Sequence, residues 1–169
     1  MTTNGLAASL PLELAFGLTI CLSCILLIIS IVDVKSLRIP DLLSLPLIAS
    51  GLSFAFAIPD VLGLDYLVGA TVAFILFAGL GDVYFRLRGI DGLGLGDAKF
   101  FAAAGAWIGW QNLPIVLLLA TVGGLMQATI NHKSHRDTPL AFGPWIAFGF
   151  WSVWIWECWA APWFSRPLN

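Results

Sequence analysis

The chain has very little charge: only 11% of its 169 residues are Asp, Glu, Lys or Arg, whereas 59% are hydrophobic. A soluble domain needs a charged surface, and about a quarter of its residues normally carry charge. The scarcity of charge excludes a soluble domain and predicts an integral membrane protein with almost no extramembrane part. No basic patch and no basic–aromatic interleaving is present, so a nucleic-acid partner is excluded as well.

Cysteine is also scarce, with three in the whole chain. Cys21 and Cys24 form a C-x-x-C pattern, which in a soluble protein would indicate a redox or zinc site. Both lie inside an apolar run, residues 11–32, where a thiolate is disfavoured, so we interpret them as small apolar residues on a helix. Cys158 stands alone, and no disulfide framework is predicted.

Long apolar runs predict the fold class: an all-α membrane protein, a polytopic bundle of about six transmembrane helices in one domain over residues 1–169. The first run is preceded by no Lys or Arg, so it lacks the basic region of a secretory signal peptide and should remain as an anchor. The fourth is shorter than the usual length of about 20 residues. The predicted spans are 11–32, 42–58, 66–85, 98–110, 113–130 and 141–161.

The basic residues are distributed asymmetrically among the predicted loops. All but one of the eight follow spans one, three and five, and the alternate loops carry none. The positive-inside rule therefore places these three loops in the cytoplasm and both termini outside. The basic residues concerned are Lys35, Arg38, Arg86, Arg88, Lys99, Lys133 and Arg136.

Tryptophans cluster near the predicted span ends, among them Trp107, Trp110 and several from Trp145 to Trp163. We interpret them as interfacial anchors. Glu157 lies among them near the outer interface, where we expect it to be solvated. Gly123 and Gly124 in the fifth span predict close helix packing.

Two carboxylates lie at the edges of predicted spans. Asp33 closes the first apolar run, and Asp97 immediately precedes the fourth. Carboxylates at or near hydrocarbon are costly and usually functional. Since both fall on the predicted cytoplasmic side, the topology allows them to meet at one depth.

A glycine-rich segment leads to Asp97. Glycines at the alternate positions 92, 94 and 96 disfavour a helix and predict a non-helical approach to the span. Such backbone at membrane depth must be covered by protein or water, so this segment should line a wet cavity. Asp97 would then open the fourth helix, where the helix dipole favours a carboxylate. Before span two, Ile39-Pro40-Asp41 predicts an extended link.

Paired carboxylates suit peptide hydrolysis. They would share one proton, so that the ionised group activates a water and the protonated group donates to the carbonyl oxygen. This chemistry requires no metal ion and no cofactor. His132 and His135 form an H-x-x-H pattern without an obvious third ligand, which favours a solvated loop over a metal site.

Two other functions are alternatives to peptide hydrolysis. A small cation transporter or channel would bind or relay cations at Asp33 and Asp97, and it predicts acids deeper in the spans and an inverted repeat. Neither is visible in the sequence. A purely structural assembly subunit would leave the glycine-rich approach to Asp97 without a role.

Three blocks of sequence resemble the type IV prepilin peptidases, membrane aspartyl peptidases with a G-x-G-D motif. Residues 94–99, GLGDAK, resemble the family's G-x-G-D-x-K signature, and 100–109 resemble its continuation. Asp33 with 38–41, RIPD, resembles the D-x4-R-I-P-[ND] block, and 139–144, PLAFGP, resembles the later I-P-F-G-P block. The blocks occur in the family's order over nearly the whole chain.

The resemblance implies an intramembrane aspartyl endopeptidase in the bacterial inner membrane. Its catalytic pair would be Asp33 and Asp97. The implied substrate is a prepilin or pseudopilin with a short basic leader, cleaved after a glycine at the cytoplasmic face, and lipid would surround the protein. The supporting or substrate-binding residues would be Gly94, Gly96, Lys99, Arg38 and Pro40.

Two departures from the family pattern refine the expectation. Larger members carry an extra N-terminal region with paired cysteines linked to N-methylation, whereas about ten residues precede span one here. We therefore expect the short, peptidase-only form without N-methyltransferase activity. The other departure, Leu140 in the third block, concerns packing. Acids predicted on the cytoplasmic side are expected to attract the basic leader: Asp41, Asp82, Asp91 and Asp137.

Overall fold

The computed structural model describes residues 5–59, 61–89, 94–133 and 141–160. Within these ranges the regular structure is entirely helical, which confirms the predicted all-α fold class. The elements are α1 (Leu6–Ser9), α2 (Leu12–Ser36), α3 (Asp41–Ala57), α4 (Gly63–Arg88), α5 (Leu95–Lys133), α6 (Gly143–Ile155) and a π-helical turn (Trp156–Ala160).

Three of these helices are long and apolar enough to cross a membrane. They are α2, the part of α4 from Gly63 to Leu87, and the part of α5 from Leu95 to Asn131. Helix α3 is apolar but shorter, with 17 residues. Their outward side chains are largely Leu, Ile, Val and Phe, as expected for surfaces that meet lipid. The chain is thus an all-α membrane protein, and six spans stay a prediction.

Helix α5 joins two of the predicted spans. The sequence predicts one span ending at Trp110 and the next beginning at Leu113, whereas the helical assignment continues without an intervening loop. The break is a single residue, Gly109, with φ 74° and ψ 171°. Glycine alone adopts this backbone conformation without strain, so the helix direction changes at that residue.

Helix α5 lies at the centre of the bundle and packs against α3, α4 and α6, while α2 packs against α6. Small residues permit the closest approach. A Cβ atom on Gly105 would lie 2.5 Å from the backbone of Gly69, so the α4–α5 crossing depends on both glycines. Gly123 is covered by the Trp145 ring, which confirms the packing role expected for the glycine pair in this region.

Two tryptophans are core residues. Trp107 is 4% exposed and Trp154 is fully buried, and their rings meet edge to face with centroids 5.4 Å apart. The Trp107 indole N–H also donates to the Leu47 carbonyl at 2.8 Å. The interfacial-anchor interpretation is therefore wrong for these two residues. Trp110 and Trp156 are well exposed, as anchors should be.

Glu157 is buried, so the expectation that it is solvated is wrong. Its side chain is 9% exposed and lies in the π-helical turn against the backbone of Gly5. One carboxylate oxygen accepts a hydrogen bond from the Asn112 amide at 2.5 Å. Asn112 follows the Gly109 break in α5, so a distant segment of the chain covers this acid.

Candidate active site

Asp33 lies in the last turns of α2 and is almost completely buried, with 4% of its surface exposed. The backbone N–H of Gly143, the first residue of α6, donates to its Oδ2 at 2.8 Å. A free N–H at a helix N-terminus is a favourable partner for a carboxylate. The chain therefore provides a fixed donor for an acid that water reaches poorly.

Gly143 is required at this contact for steric reasons. A Cβ atom at that position would lie 2.6 Å from Asp33 Oδ2, well inside van der Waals contact. Any other residue would force the carboxylate or the start of α6 to move. The close packing of α6 on α2 thus requires glycine, which has no side chain, at position 143.

Helix α2 ends three residues after Asp33, at Ser36. Leu37 adopts the left-handed conformation, φ 52° and ψ 31°, and its N–H donates to the Asp33 carbonyl at 2.7 Å. The backbone is then extended at Pro40, φ −68° and ψ 136°, before α3 begins at Asp41. This confirms the extended link predicted from Ile39-Pro40-Asp41.

Asp97 lies in the first turn of α5, as predicted. Its N–H donates to the Gly94 carbonyl at 3.0 Å, which closes that turn. Gly94 precedes the helix, but Gly96 lies inside it, so the non-helical approach does not extend as far as Gly96. Positions 92 and 93 lie outside the described residues.

The two carboxylates are close enough for their charges to interact. Asp33 comes from the end of α2 and Asp97 from the start of α5, separated by two intervening helices in the chain. This interaction is compatible with the equal depth that the sequence predicts, and the pairing of Asp33 with Asp97 in one site stays a prediction. Two carboxyl groups whose charges interact favour a state in which one is ionised and the other protonated, as general acid–base chemistry requires.

Of the remaining predicted site residues, Gly96 and Lys99 make contacts between α5 and the segment 38–41, whereas Arg38 and Pro40 lie on that segment. Gly96 touches the link between α2 and α3, because a Cβ there would lie 3.2 Å from the backbone nitrogen of Ile39. Lys99 pairs with Asp41, its Nζ lying 2.7 Å from each carboxylate oxygen. Arg38 and Pro40 are exposed on the link itself. Gly96 and Lys99, on either side of Asp97 in the sequence, thus both contact the segment 38–41, which contains Arg38 and Pro40.

Sequence reasoning missed two contributors. Gly143 was noted only within the block 139–144, and nothing in that block reveals that its N–H binds Asp33, 110 residues away. Asp41 was expected to attract a substrate rather than to pair with Lys99. In both cases the sequence offered one indication: the residue lies in a block that resembles a family motif.

Two of the acids expected to attract a basic leader are paired within the chain. Asp41 binds Lys99, and Asp82 binds Arg86 at 2.9 Å along α4. Asp91, Asp137 and His135, as well as residues 139–140 of the third block, lie outside the described residues. The pairs lower the net negative charge that these acids present.

Comparison with known proteins gives concordant matches. The model of a type IV leader peptidase family matches residues 20–129, a range that contains Asp33 and Asp97. The chain is similar to proteins named prepilin leader peptidase/N-methyltransferase. The one from Escherichia coli (strain K12) is 39% identical over 132 residues, covering 75% of this chain and 57% of that protein.

Two further relatives carry the same name. The protein from Pectobacterium carotovorum subsp. carotovorum is 39% identical over 143 residues, or 83% of this chain and 51% of the relative. The protein from Aeromonas hydrophila is 35% identical over 138 residues, or 80% of this chain and 48% of the relative. The chain thus spans about half the length of these relatives. No solved structure matches it.

Proposed function

We propose that this chain, which belongs to the type IV leader peptidase family, hydrolyses the peptide bond that joins a short basic leader to a type IV prepilin or pseudopilin. Asp33 and Asp97 are the catalytic pair in this proposal. The observation that carries it is that the charges of the two acids, which lie on separate helices, interact, with Asp33 buried and bound to the Gly143 N–H. The names of the relatives support the substrate class.

In the proposed reaction the pair begins with one shared proton. The ionised carboxylate takes a proton from water as the water oxygen bonds to the carbonyl carbon, and the protonated carboxyl gives its proton to the carbonyl oxygen. The C–N bond then breaks as the first group protonates the leaving nitrogen. The second group recovers a proton from a hydroxyl of the intermediate, and the pair returns to its starting state.

We place this reaction at the cytoplasmic face of the inner membrane. The basic residues near Asp33 and Asp97, including Lys35, Arg38 and Lys99, support that orientation through the positive-inside rule. Both termini would then lie on the outer side. A leader with positive charge would remain in the cytoplasm, so the bond to be cleaved would reach the pair from that side.

The first experiment compares the purified protein, in detergent or lipid, with Asp33→Asn and Asp97→Asn. The substrate is a prepilin with a basic leader and a glycine at the cleavage site. Each substitution should lower cleavage by about 10²- to 10⁴-fold, the usual contribution of a positioned general acid or base. Glu157→Gln is the matched control, because it also removes a buried carboxylate but should leave cleavage intact.

Each outcome is informative. Cleavage by the wild type and by Glu157→Gln, with loss in both aspartate variants, supports the proposed peptidase and its pair. Full activity in either aspartate variant removes that residue from the mechanism. A folded wild type that cleaves none of several prepilins contradicts the proposed function and favours the cation transporter. The absence of N-methyltransferase activity stays a prediction, checked by the mass of the cleaved product incubated with a methyl donor.

A further inference from the structure

We propose that Asp41 and Lys99 are positioning residues that hold the first turn of α5, and with it Asp97, in register with Asp33. This inference rests on the proposed peptidase function. It assigns to Asp41 a role other than the attraction of a basic leader. It also gives a structural reason for a lysine two residues after the aspartate of the G-x-G-D sequence.

The pair joins two helix starts. Asp41 is the first residue of α3, and Lys99 lies just beyond the first turn of α5. The Lys99 ammonium lies 2.7 Å from both Asp41 oxygens, so one cation bridges the two acceptors. The two residues are 58 positions apart in sequence, and their contact therefore fixes tertiary structure rather than local structure.

A second contact involves Gly96, the residue immediately before Asp97 in the sequence. Gly96 packs directly on Ile39, and an added Cβ would lie 3.2 Å from the Ile39 backbone nitrogen and 3.3 Å from its carbonyl oxygen. Asp97 is thus flanked by two points at which α5 touches the segment 39–41. The same segment lies just beyond the end of α2, the helix that carries Asp33, so it connects the positions of the two carboxylates.

The start of α5 needs such contacts. It is preceded by glycine at position 94 and, in the sequence, at 92, and glycine contributes little intrinsic stiffness. The direction of the first turn must therefore be set by tertiary interactions. The Lys99 and Asp41 side chains are 27% and 56% exposed. An ion pair this exposed contributes little to global stability, which separates a positioning role from a purely structural one.

Kinetics distinguish positioning from leader binding. If the pair positions Asp97, Asp41→Asn and Lys99→Gln should each lower kcat by about 10- to 100-fold, the effect of a displacement near 1 Å, and leave KM unchanged. If Asp41 instead binds the leader, Asp41→Asn should raise KM. Under that alternative Lys99→Gln would free the Asp41 carboxylate and lower KM.

The experiment measures kcat, KM and thermal unfolding for the wild type, Asp41→Asn, Lys99→Gln and Lys99→Arg with the prepilin substrate. Lys99→Arg should recover most of the activity lost in Lys99→Gln, because a guanidinium also binds both carboxylate oxygens. Arg86→Gln is the control, since it breaks the exposed pair with Asp82 on α4 and should leave kcat unchanged. Unfolding temperatures should be the same for all variants.

Four results would overturn the inference while the proposed function stands, provided that the wild type cleaves and the Asp33 and Asp97 variants do not. The first is wild-type kcat in Asp41→Asn. The second is a change confined to KM. The third is an equal loss of kcat in Lys99→Arg and Lys99→Gln. The fourth is a loss of kcat that follows the unfolding temperature across the variants. A wild type without cleavage activity would instead contradict the proposed function itself.

Discussion

Two buried carboxylates lie near opposite ends of α2, and they differ in what surrounds them. Asp33, in the last turns, is bound by the backbone N–H of Gly143 and interacts with Asp97. Glu157 lies against Gly5, which precedes α1. Asn112 binds one Glu157 oxygen, and the other oxygen has no hydrogen-bond partner among the described residues. Near the start of α2, Phe16 packs on Trp159, close to Glu157, and from Phe16 to Asp33 the helix rises by about 25 Å.

The comparison shows that burial alone does not identify a catalytic acid. Both groups are at least nine-tenths buried. What distinguishes Asp33 is an electrostatic interaction with a second carboxylate, Asp97, and a hydrogen-bond donor that belongs to the backbone. Among the residues that the structure describes, Glu157 has one side-chain donor, Asn112, and no carboxylate partner, which suits a structural contact between the π-helical turn and α5.

Matched glycine substitutions at the two ends test this difference, and Gly143→Ala should have the largest effect. The new Cβ would lie 2.6 Å from Asp33 Oδ2 and must displace the carboxylate or α6. We expect kcat to fall by about 10²-fold, as for a displacement near 1 Å at a reacting group. Gly17→Ala and Gly79→Ala are controls, because a Cβ at either position meets nothing within 4 Å. Wild-type kcat in Gly143→Ala would show that the contact does not position Asp33.

Asn112→Ala should have an intermediate effect, on stability rather than on catalysis. It removes the hydrogen bond to Glu157 and leaves a buried carboxylate unsatisfied, which costs about 1–3 kcal/mol. The unfolding free energy in detergent should fall by that amount while kcat is unchanged. In the Glu157→Gln background the same substitution should cost less, since no charge remains. A loss of kcat in Asn112→Ala would show that the two regions are coupled, and it would contradict the purely structural role given to Glu157.

Gly5→Ala should have the smallest effect. Its Cβ would lie 3.0 Å from Glu157 Oε1, but the end of a glutamate side chain moves more easily than a backbone-bound aspartate. The destabilisation should not exceed about 1 kcal/mol, the lower end for added volume in a packed region. Thermal unfolding measures it, with Gly17→Ala again as the reference. A loss similar to that of Asn112→Ala would mean that this end is as tightly packed as the Asp33 end.

The sequence predicted the features that depend on local chemistry. The apolar runs, the extended backbone at Pro40 and the place of Asp97 in a first helical turn follow from composition, proline and glycine. The predicted topology allows Asp33 and Asp97 to meet, because both lie at the same predicted depth, and their pairing stays a prediction. Their catalytic role remains a proposal.

Contacts that depend on which face of a helix is buried could not be predicted from local chemistry. In a membrane protein the lipid-facing and core-facing sides are equally apolar, so periodicity does not separate them. This explains why Trp107 and Glu157 were misplaced and why the Gly143 donor went unrecognised. Each of these contacts joins residues from different helices, and no spacing within the chain encodes the pairing.

The backbone break at Gly109 has a consequence for the surrounding lipid. The helical segment from Asp97 to this glycine rises by only about 18 Å, well short of the roughly 30 Å of hydrocarbon in an ordinary bilayer. The neighbouring helix α4, with 26 residues, is about twice as long. Hydrophobic mismatch of this size is relieved when the bilayer thins around the short segment. The acyl-chain length of the surrounding lipids therefore sets how much the bilayer must thin. We expect it to affect how closely the headgroups and their water come to Asp97.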